Sequence, residues 1–245
     1  MTVLKDIIYK KTFTYGGEPL DLLMDGYARE KNAAPKPVVM LIHGGGFVGG
    51  AKDQDLYVEM AGMFAEAGFA VFSANYRLVE WDKPGAPNNA EAVRDDAASD
   101  IIAAIRHIRA NPNRYDSDAS RVVVCGDSAG AAIAVGAAYK YGRAEGIAGC
   151  VALWGGMPLS VGGLWNGNVF AHSLPADGPP CLLIHGTADE TAEYGVSVRF
   201  STQLSETGVK NRLLLLPDAP HYTERQEDKS VYLPEMLAFA LACAE

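Results

Sequence analysis

The 245-residue sequence is short of cysteine, of positive charge and of long apolar runs. Its four cysteines are Cys125, Cys150, Cys181 and Cys243, and three of them lie in or beside strand-like apolar stretches (RVVVCG, GCVALW, PCLLIH). Their spacing has no metal-ligand pattern and builds no dense disulfide framework, so buried thiols in a reducing compartment are expected. Lysine and arginine total 21 against 30 acidic residues, a formal net charge of −9. That balance repels phosphate backbones and anionic lipid heads, which argues against nucleic acid as a partner. The basic residues Arg106, Arg109 and Arg114 follow a helical stretch and read as a solvated face. No apolar run approaches membrane-spanning length, and the opening MTVLKDIIYKK lacks the apolar core of a signal peptide. A soluble, cytoplasmic protein without membrane insertion is therefore the expectation. The five histidines are scattered, with no H-E-x-x-H or similar spacing, so neither a metal nor another cofactor is expected.

What is present is an alternation of apolar strand-length runs with helical patterns. Ile7 to Tyr15 and Leu20 to Tyr27 read as an antiparallel pair joined at Gly16–Gly17. Val38 to Ile42, Phe69 to Ala74, Val122 to Cys125, Ile147 to Leu153, Cys181 to Ile184 and Arg212 to Leu216 read as strands. Between them, Asp55 to Ala67, Ala90 to Ala110, Ala129 to Tyr141, Gly195 to Glu206 and Ser230 to Ala242 read as helices. In the first helix, Leu56, Met60, Met63, Phe64 and Ala67 recur at three- and four-residue spacing, and Gly68 stops it. Short apolar runs without alternation suit strands buried on both faces, and strands alternating with helices imply a mostly parallel sheet. The expected fold is one doubly wound α/β domain over residues 1–245, opened by antiparallel strands. The longest irregular stretch, Gly155 to Pro180, is the expected source of pocket walls.

The chemistry begins at Gly126-Asp127-Ser128-Ala129-Gly130, a G-x-S-x-G pentapeptide with an apolar strand before it and a small-residue helix after it. At such a turn a serine is held in a strained backbone with its hydroxyl above the sheet. His43-Gly44-Gly45-Gly46-Phe47 follows another strand. Consecutive glycines can aim backbone N–H groups at a developing alkoxide, a second source being the N–H of Ala129 just after the nucleophile. A phosphate-binding loop would need a following Lys-Ser/Thr or a helix opened by G-x-G-x-x-G, and neither is present. The acid and base of a triad should follow the serine in that order. Asp189, in HGTAD after the run CLLI, and His221, in PDAPH after LLLL, occupy loops that follow strands. His43 and His185 precede glycine turns and read as loop-ordering residues; His107 lies in a helix and His172 in the long loop. Asp218 is too near His221 in sequence to orient it comfortably, and Asp177 is a weaker alternative acid.

With these residues in view, the chain resembles the hormone-sensitive-lipase-like branch of the α/β-hydrolases and the compact bacterial feruloyl and acetyl-xylan esterases. The resemblance rests on HGGGF at His43, ANYRL at Ala74, RVVVCGDSAG at Arg121, HGTAD at His185 and APH at Ala219, which together span most of the chain. It implies the α/β-hydrolase fold with little or no cap, and a serine esterase with Ser128, Asp189 and His221 as triad. It also implies Gly45, Gly46 and Ala129 as oxyanion donors, with Asp127 and Asn75 structural. Ala131 departs mildly from the family, where a further glycine is frequent. The chain has no room for a full cap, so short-acyl or otherwise small esters are the expected substrates. Phe47, Trp154, Trp165, Phe170 and Tyr222 lie near motif ends and are candidates to line the pocket. The same machinery suits an arylformamide of the kynurenine-formamidase kind, and a non-catalytic binding homologue is the remaining alternative. The expected partner is a small-molecule ester, and self-association into a homodimer is compatible with the sequence.

Overall fold

The structure is a computed structural model that describes residues 1–29, 35–155 and 174–245. Eight strands form one sheet in the order β1-β2-β4-β3-β5-β6-β7-β8. The strands are β1 (Thr2–Phe13), β2 (Pro19–Ala28), β3 (Lys36–Ile42), β4 (Ala70–Ala74), β5 (Ser117–Asp127), β6 (Ile147–Leu153), β7 (Cys181–Gly186) and β8 (Asn211–Leu216). β1 and β2 pair antiparallel, β2 joins β4 antiparallel, and every pairing from β4 through β3 to β8 is parallel. The helices are α1 (Asp55–Glu66), α2 (Ala90–Ala110), α3 (Pro112–Tyr115), α4 (Ala129–Lys140), α5 (Gly195–Glu206) and α6 (Gln226–Ala244). A 3-10 turn spans Gly142–Glu145. No helix among the described residues is long and apolar enough to cross a membrane.

Alternate residues of the central strands feed two cores. Val38, Met40, Val122 and Val124 pack on one face with Ala97, Ile101 and Ile105 of α2 and with Ile133 of α4. Val39, Leu41, Val123 and Cys125 pack on the other with Leu56 and Phe64 of α1 and with Tyr232 and Met236 of α6. Each such aliphatic side chain stabilises the fold by roughly 1.5–3 kcal/mol when fully removed from water. This two-sided burial is why the strands read as unbroken apolar runs. α2 starts where the Asn89 side chain accepts the Ala92 N–H at 2.8 Å, and Glu91 lies in its first turn. The four cysteines are unbonded; Cys125, Cys150 and Cys181 are buried. Arg106 and Arg109 pair with Glu145 at the surface.

Several boundaries differ from expectation; β1, for one, spans Thr2–Phe13 rather than Ile7 to Tyr15. β5 begins five residues before the apolar run, at Ser117, because Lys36 and Pro37 of β3 pair with Ser117 and Asp118. Pro112, just after α2, occupies the first turn of α3, where a missing N–H costs nothing. The last helix begins at Gln226 and carries Pro234 inside it, so the proline marks no boundary there. The parallel arrangement brings the C-terminal ends of β3, β5, β6, β7 and β8 to one edge, and ligand sites in open α/β sheets form at that edge.

Candidate active site

β5 leads into α4 through Ser128, whose φ of 50° and ψ of −118° are strained for a residue with a side chain. Two glycines make the turn sterically feasible. A Cβ at Gly126 would lie 2.2 Å from the Gly130 carbonyl oxygen, and one at Gly130 would lie 2.0 Å from the Ile42 oxygen. The turn therefore wedges between its own helix and the end of β3. Ser128 N–H donates to Leu153 O of β6 at 3.0 Å, which ties the turn to the sheet.

The loops after β7 and β8 are bound to each other. Ala188 N–H donates to Ala219 O at 3.0 Å, Thr187 N–H to Leu216 O at 2.9 Å, and Asp218 N–H to Thr187 Oγ1 at 2.9 Å. This pairing sets Asp189 against His221. His221 Nδ1 lies 2.7 Å from Asp189 Oδ2, and His221 Nε2 lies 3.0 Å from Ser128 Oγ. Asp189 Oδ1 accepts the N–H groups of Thr191 at 2.9 Å and Ala192 at 2.7 Å. Burial alone would raise the Asp189 carboxyl; the hydrogen bonds from His185, His221 and the Ala192 N–H outweigh it and hold the group well below the usual carboxylate range. Asp189 is thus a carboxylate with an acceptor oxygen facing an imidazole N–H.

Asp127, just before the serine, lines the same cavity as Ser128 and His221 and is held there by three donors. It accepts the Gly44 N–H at 2.8 Å, the Tyr57 hydroxyl, and Trp154 Nε1–H at 3.2 Å. Burial pushes its carboxyl up to about 6, against the pull of the Trp154 and Gly44 donors. These contacts hold the start of the glycine loop. Gly45 has φ +108°, and a Cβ there would lie 2.2 Å from Gly49 O, so only glycine fits. Gly44 N–H is occupied by Tyr57 and Asp127, whereas the N–H groups of Gly45, Gly46 and Ala129 have no acceptor among the described residues. His43 stacks on Tyr76 with ring centroids 4.4 Å apart, and burial lowers it to about 4, so it is a neutral loop residue rather than a base.

A cavity of about 390 Å³ is lined by Gly44, Gly45, Gly46, Tyr57, Ser128, Thr191, His221 and Tyr222. A second, of about 190 Å³, lies at the opposite sheet edge beside Arg29 and Tyr115, and neither Ser128 nor His221 lines it. Tyr222 is a wall of the first cavity, as its place beside His221 suggested. Phe47 and Trp154 are not. Both are fully buried, Phe47 packed in one hydrophobic core and Trp154 in the other. Trp154 packs edge-on against Tyr222 and Tyr232 and serves Asp127. Trp165 and Phe170 lie outside the described residues, as does His172. Sequence reasoning missed Tyr57 and Thr191 as lining residues, and it took His185 for a loop histidine; His185 ends β7 and touches Asp189. Tyr57 was hidden because it follows Leu56 in an amphipathic helix, where its ring reads as core.

Comparison with known proteins bears on this arrangement. Residues 24–150 match the BD-FAE family model, and residues 168–245 match the prolyl oligopeptidase family. Gut esterase 1 of Caenorhabditis elegans is 30% identical over 121 residues, 49% of this chain. That stretch is 21% of the nematode protein, so the chain spans about a fifth of the relative it matches. Thermogutta terrifontis esterase 2, solved phosphonylated by cyclosarin, superposes with a TM-score of 0.73 at 20% identity, covering 98% of this chain and 95% of its own. A truncated carbohydrate esterase from gut microbiota superposes with a TM-score of 0.73 at 17% identity, covering 100% and 96%. The match over residues 24–150 takes in just over half of the sequence, so the chain belongs to the BD-FAE family, and it has the α/β-hydrolase fold of these esterases.

Proposed function

We propose that the protein is a serine carboxylesterase that hydrolyses small or short-acyl esters through an acyl-enzyme on Ser128. The observation that carries this reading is the continuous relay from Asp189 Oδ2 to His221 Nδ1 at 2.7 Å and from His221 Nε2 to Ser128 Oγ at 3.0 Å. Since Asp189 Oδ2 can only accept, Nδ1 carries the hydrogen and Nε2 is free to take one. As Ser128 Oγ attacks the ester carbonyl, Nε2 receives the hydroxyl proton, and the ionised Asp189 stabilises the imidazolium. The carbonyl oxygen becomes an alkoxide within reach of the N–H groups of Gly45, Gly46 and Ala129, each such donor contributing about 3 kcal/mol in comparable sites. Collapse breaks the bond to the alcohol, which leaves with the proton from His221. Water then attacks the acyl-enzyme, gives its proton to His221, and releases the acid and free Ser128.

The roughly 390 Å³ cavity is at the small end of ligand sites, which favours short acyl groups. The structural neighbour captured with cyclosarin is an esterase, which supports the same chemistry for this chain. The test is turnover on p-nitrophenyl esters from acetyl to dodecanoyl, with an aryl formamide alongside. The expected result is highest kcat/KM at acetyl to butanoyl. Best turnover on dodecanoyl would reject the small-acyl reading, and hydrolysis of the formamide alone would reject the ester reading.

A further inference from the structure

The acid of the relay carries two imidazoles. His185, at the end of β7, is fully buried, and its Nε2 lies 3.0 Å from Asp189 Oδ2 and 2.9 Å from Ala192 O. Both neighbours can only accept, so Nε2 bears a hydrogen and donates it. The oxygen it reaches is the one that takes the Nδ1–H of His221. Asp189 Oδ1 is already engaged by two backbone N–H groups, which fix that oxygen but leave the carboxylate plane to be set by whatever holds Oδ2.

The other side of His185 is anchored as well. Its Nδ1 lies 2.7 Å from Ser197 Oγ of α5, and the one hydroxyl hydrogen of Ser197 serves Nδ1 and the Gly155 carbonyl, 3.0 Å away, between them. Gly155 packs behind the nucleophile turn; a Cβ on it would lie 2.5 Å from Ser128 O. A circuit therefore runs from Ser128 through His221, Asp189, His185, Ser197 and Gly155 and back to the Ser128 backbone. Asp189 and His221 sit in loops, whereas His185 and Ser197 belong to an inner strand and a helix. An imidazole placed wholly out of water costs free energy unless its nitrogens are matched, and here both are. Simple filling of this strand end would suit an apolar residue better.

We propose that His185 is a positioning residue for acyl transfer, holding the Asp189 oxygen that orients His221 and referring it to the rigid scaffold behind Ser128. The proposal rests on the reading of Ser128, His221 and Asp189 as the triad. Loss of the anchor lets the relay drift, and misplacement by about an ångström costs on the order of 10²-fold in rate.

Glutamine and asparagine separate the two nitrogens. The amide nitrogen of His185→Gln can occupy the Nε2 position and keep the bond to Asp189. The shorter amide of His185→Asn reaches only the Nδ1 position, where its oxygen can keep the contact with Ser197. The expected outcome is that H185N loses kcat by on the order of 10²-fold with KM little changed. A fluorophosphonate should label Ser128 of H185N more slowly in the same proportion, while H185Q recovers most of both. A residue that only fills space would give no such split. Equal kcat in H185N and H185Q, each melting like the wild type, would overturn the proposal. If neither variant folds, long-range ¹H–¹⁵N correlation on the native protein decides: a hydrogen on Nε2 of His185 is expected, and a bare Nε2 refutes the contact. Ser128→Ala is the control. Full turnover in S128A would sink the triad itself, whereas a dead S128A beside a fully active H185N sinks only the role of His185.

Discussion

Substituting Asp189 by asparagine should nearly abolish turnover, and the structure says why a nearly isosteric change is so damaging. Oδ1 of Asp189 accepts the N–H groups of Thr191 and Ala192. In Asp189→Asn the amide oxygen takes that place, because the two backbone N–H groups can only donate, whereas the imidazoles of His185 and His221 at the other oxygen can change tautomer. The NH₂ is then forced into the Oδ2 position, 2.7 Å from His221 Nδ1. His221 can answer only by accepting at Nδ1, which moves its hydrogen to Nε2, against Ser128 Oγ. An imidazole in that tautomer cannot take the serine proton. In other Ser-His-Asp enzymes the same inversion lowers kcat about 10⁴-fold, a barrier increase of roughly 5 kcal/mol. The assay is steady-state hydrolysis of p-nitrophenyl acetate, with thermal melting to show that the variant folds. A folded Asp189→Asn enzyme within tenfold of wild-type kcat would refute the tautomer argument.

Three further outcomes follow from the same geometry. Gly130→Ala drives a Cβ to 2.0 Å from Ile42 O and 2.6 Å from His43 O, both backbone atoms; it should give no soluble native protein, and a normal yield with wild-type near-ultraviolet circular dichroism would contradict the turn described. Trp154→Phe removes the Nε1–H bond to Asp127 while keeping a ring between Tyr222 and Tyr232; urea unfolding should report a loss of about 2 kcal/mol, and an unchanged midpoint would show the bond to be idle. Asp127 sits near 6 in the fold against an ordinary value near 4, so the folded state binds its proton more tightly. Its contribution to stability is greatest below about pH 4 and declines as pH rises through about 6, by up to roughly 3 kcal/mol; the stability difference between wild type and Asp127→Asn should shrink across that interval, and a flat difference from pH 4 to 7 would refute the assignment.

The parts of the molecule that could be read from the sequence are those where burial or a motif leaves a local trace. Unbroken apolar runs such as Val38 to Ile42 arise because both strand faces are covered, and the small residues after Ser128 arise because α4 packs closely on β3 and β6. Asp189 and His221 could be placed because each follows a strand whose end lies at one edge. What could not be read depends on backbone turns and remote pairing. Phe47 and Trp154 stand beside motif residues, but their rings pack into the two cores, and no periodicity encodes that. The polar start of β5 exists only because β3 lies beside it. His185 and His43 share the His-Gly context, yet one ends on a carboxylate and the other on a tyrosine ring.

The proposed esterase chemistry requires that one hydroxyl, that of Ser128, be activated by His221 and form the covalent intermediate. The most direct measurement is intact-protein and peptide mass spectrometry after brief exposure to a fluorophosphonate, run on the wild type and on His221→Asn. A single adduct on the peptide containing Ser128 is expected in the wild type and, in folded His221→Asn, labelling slower by several orders of magnitude. An adduct at another residue, or equally fast labelling without His221, would contradict it.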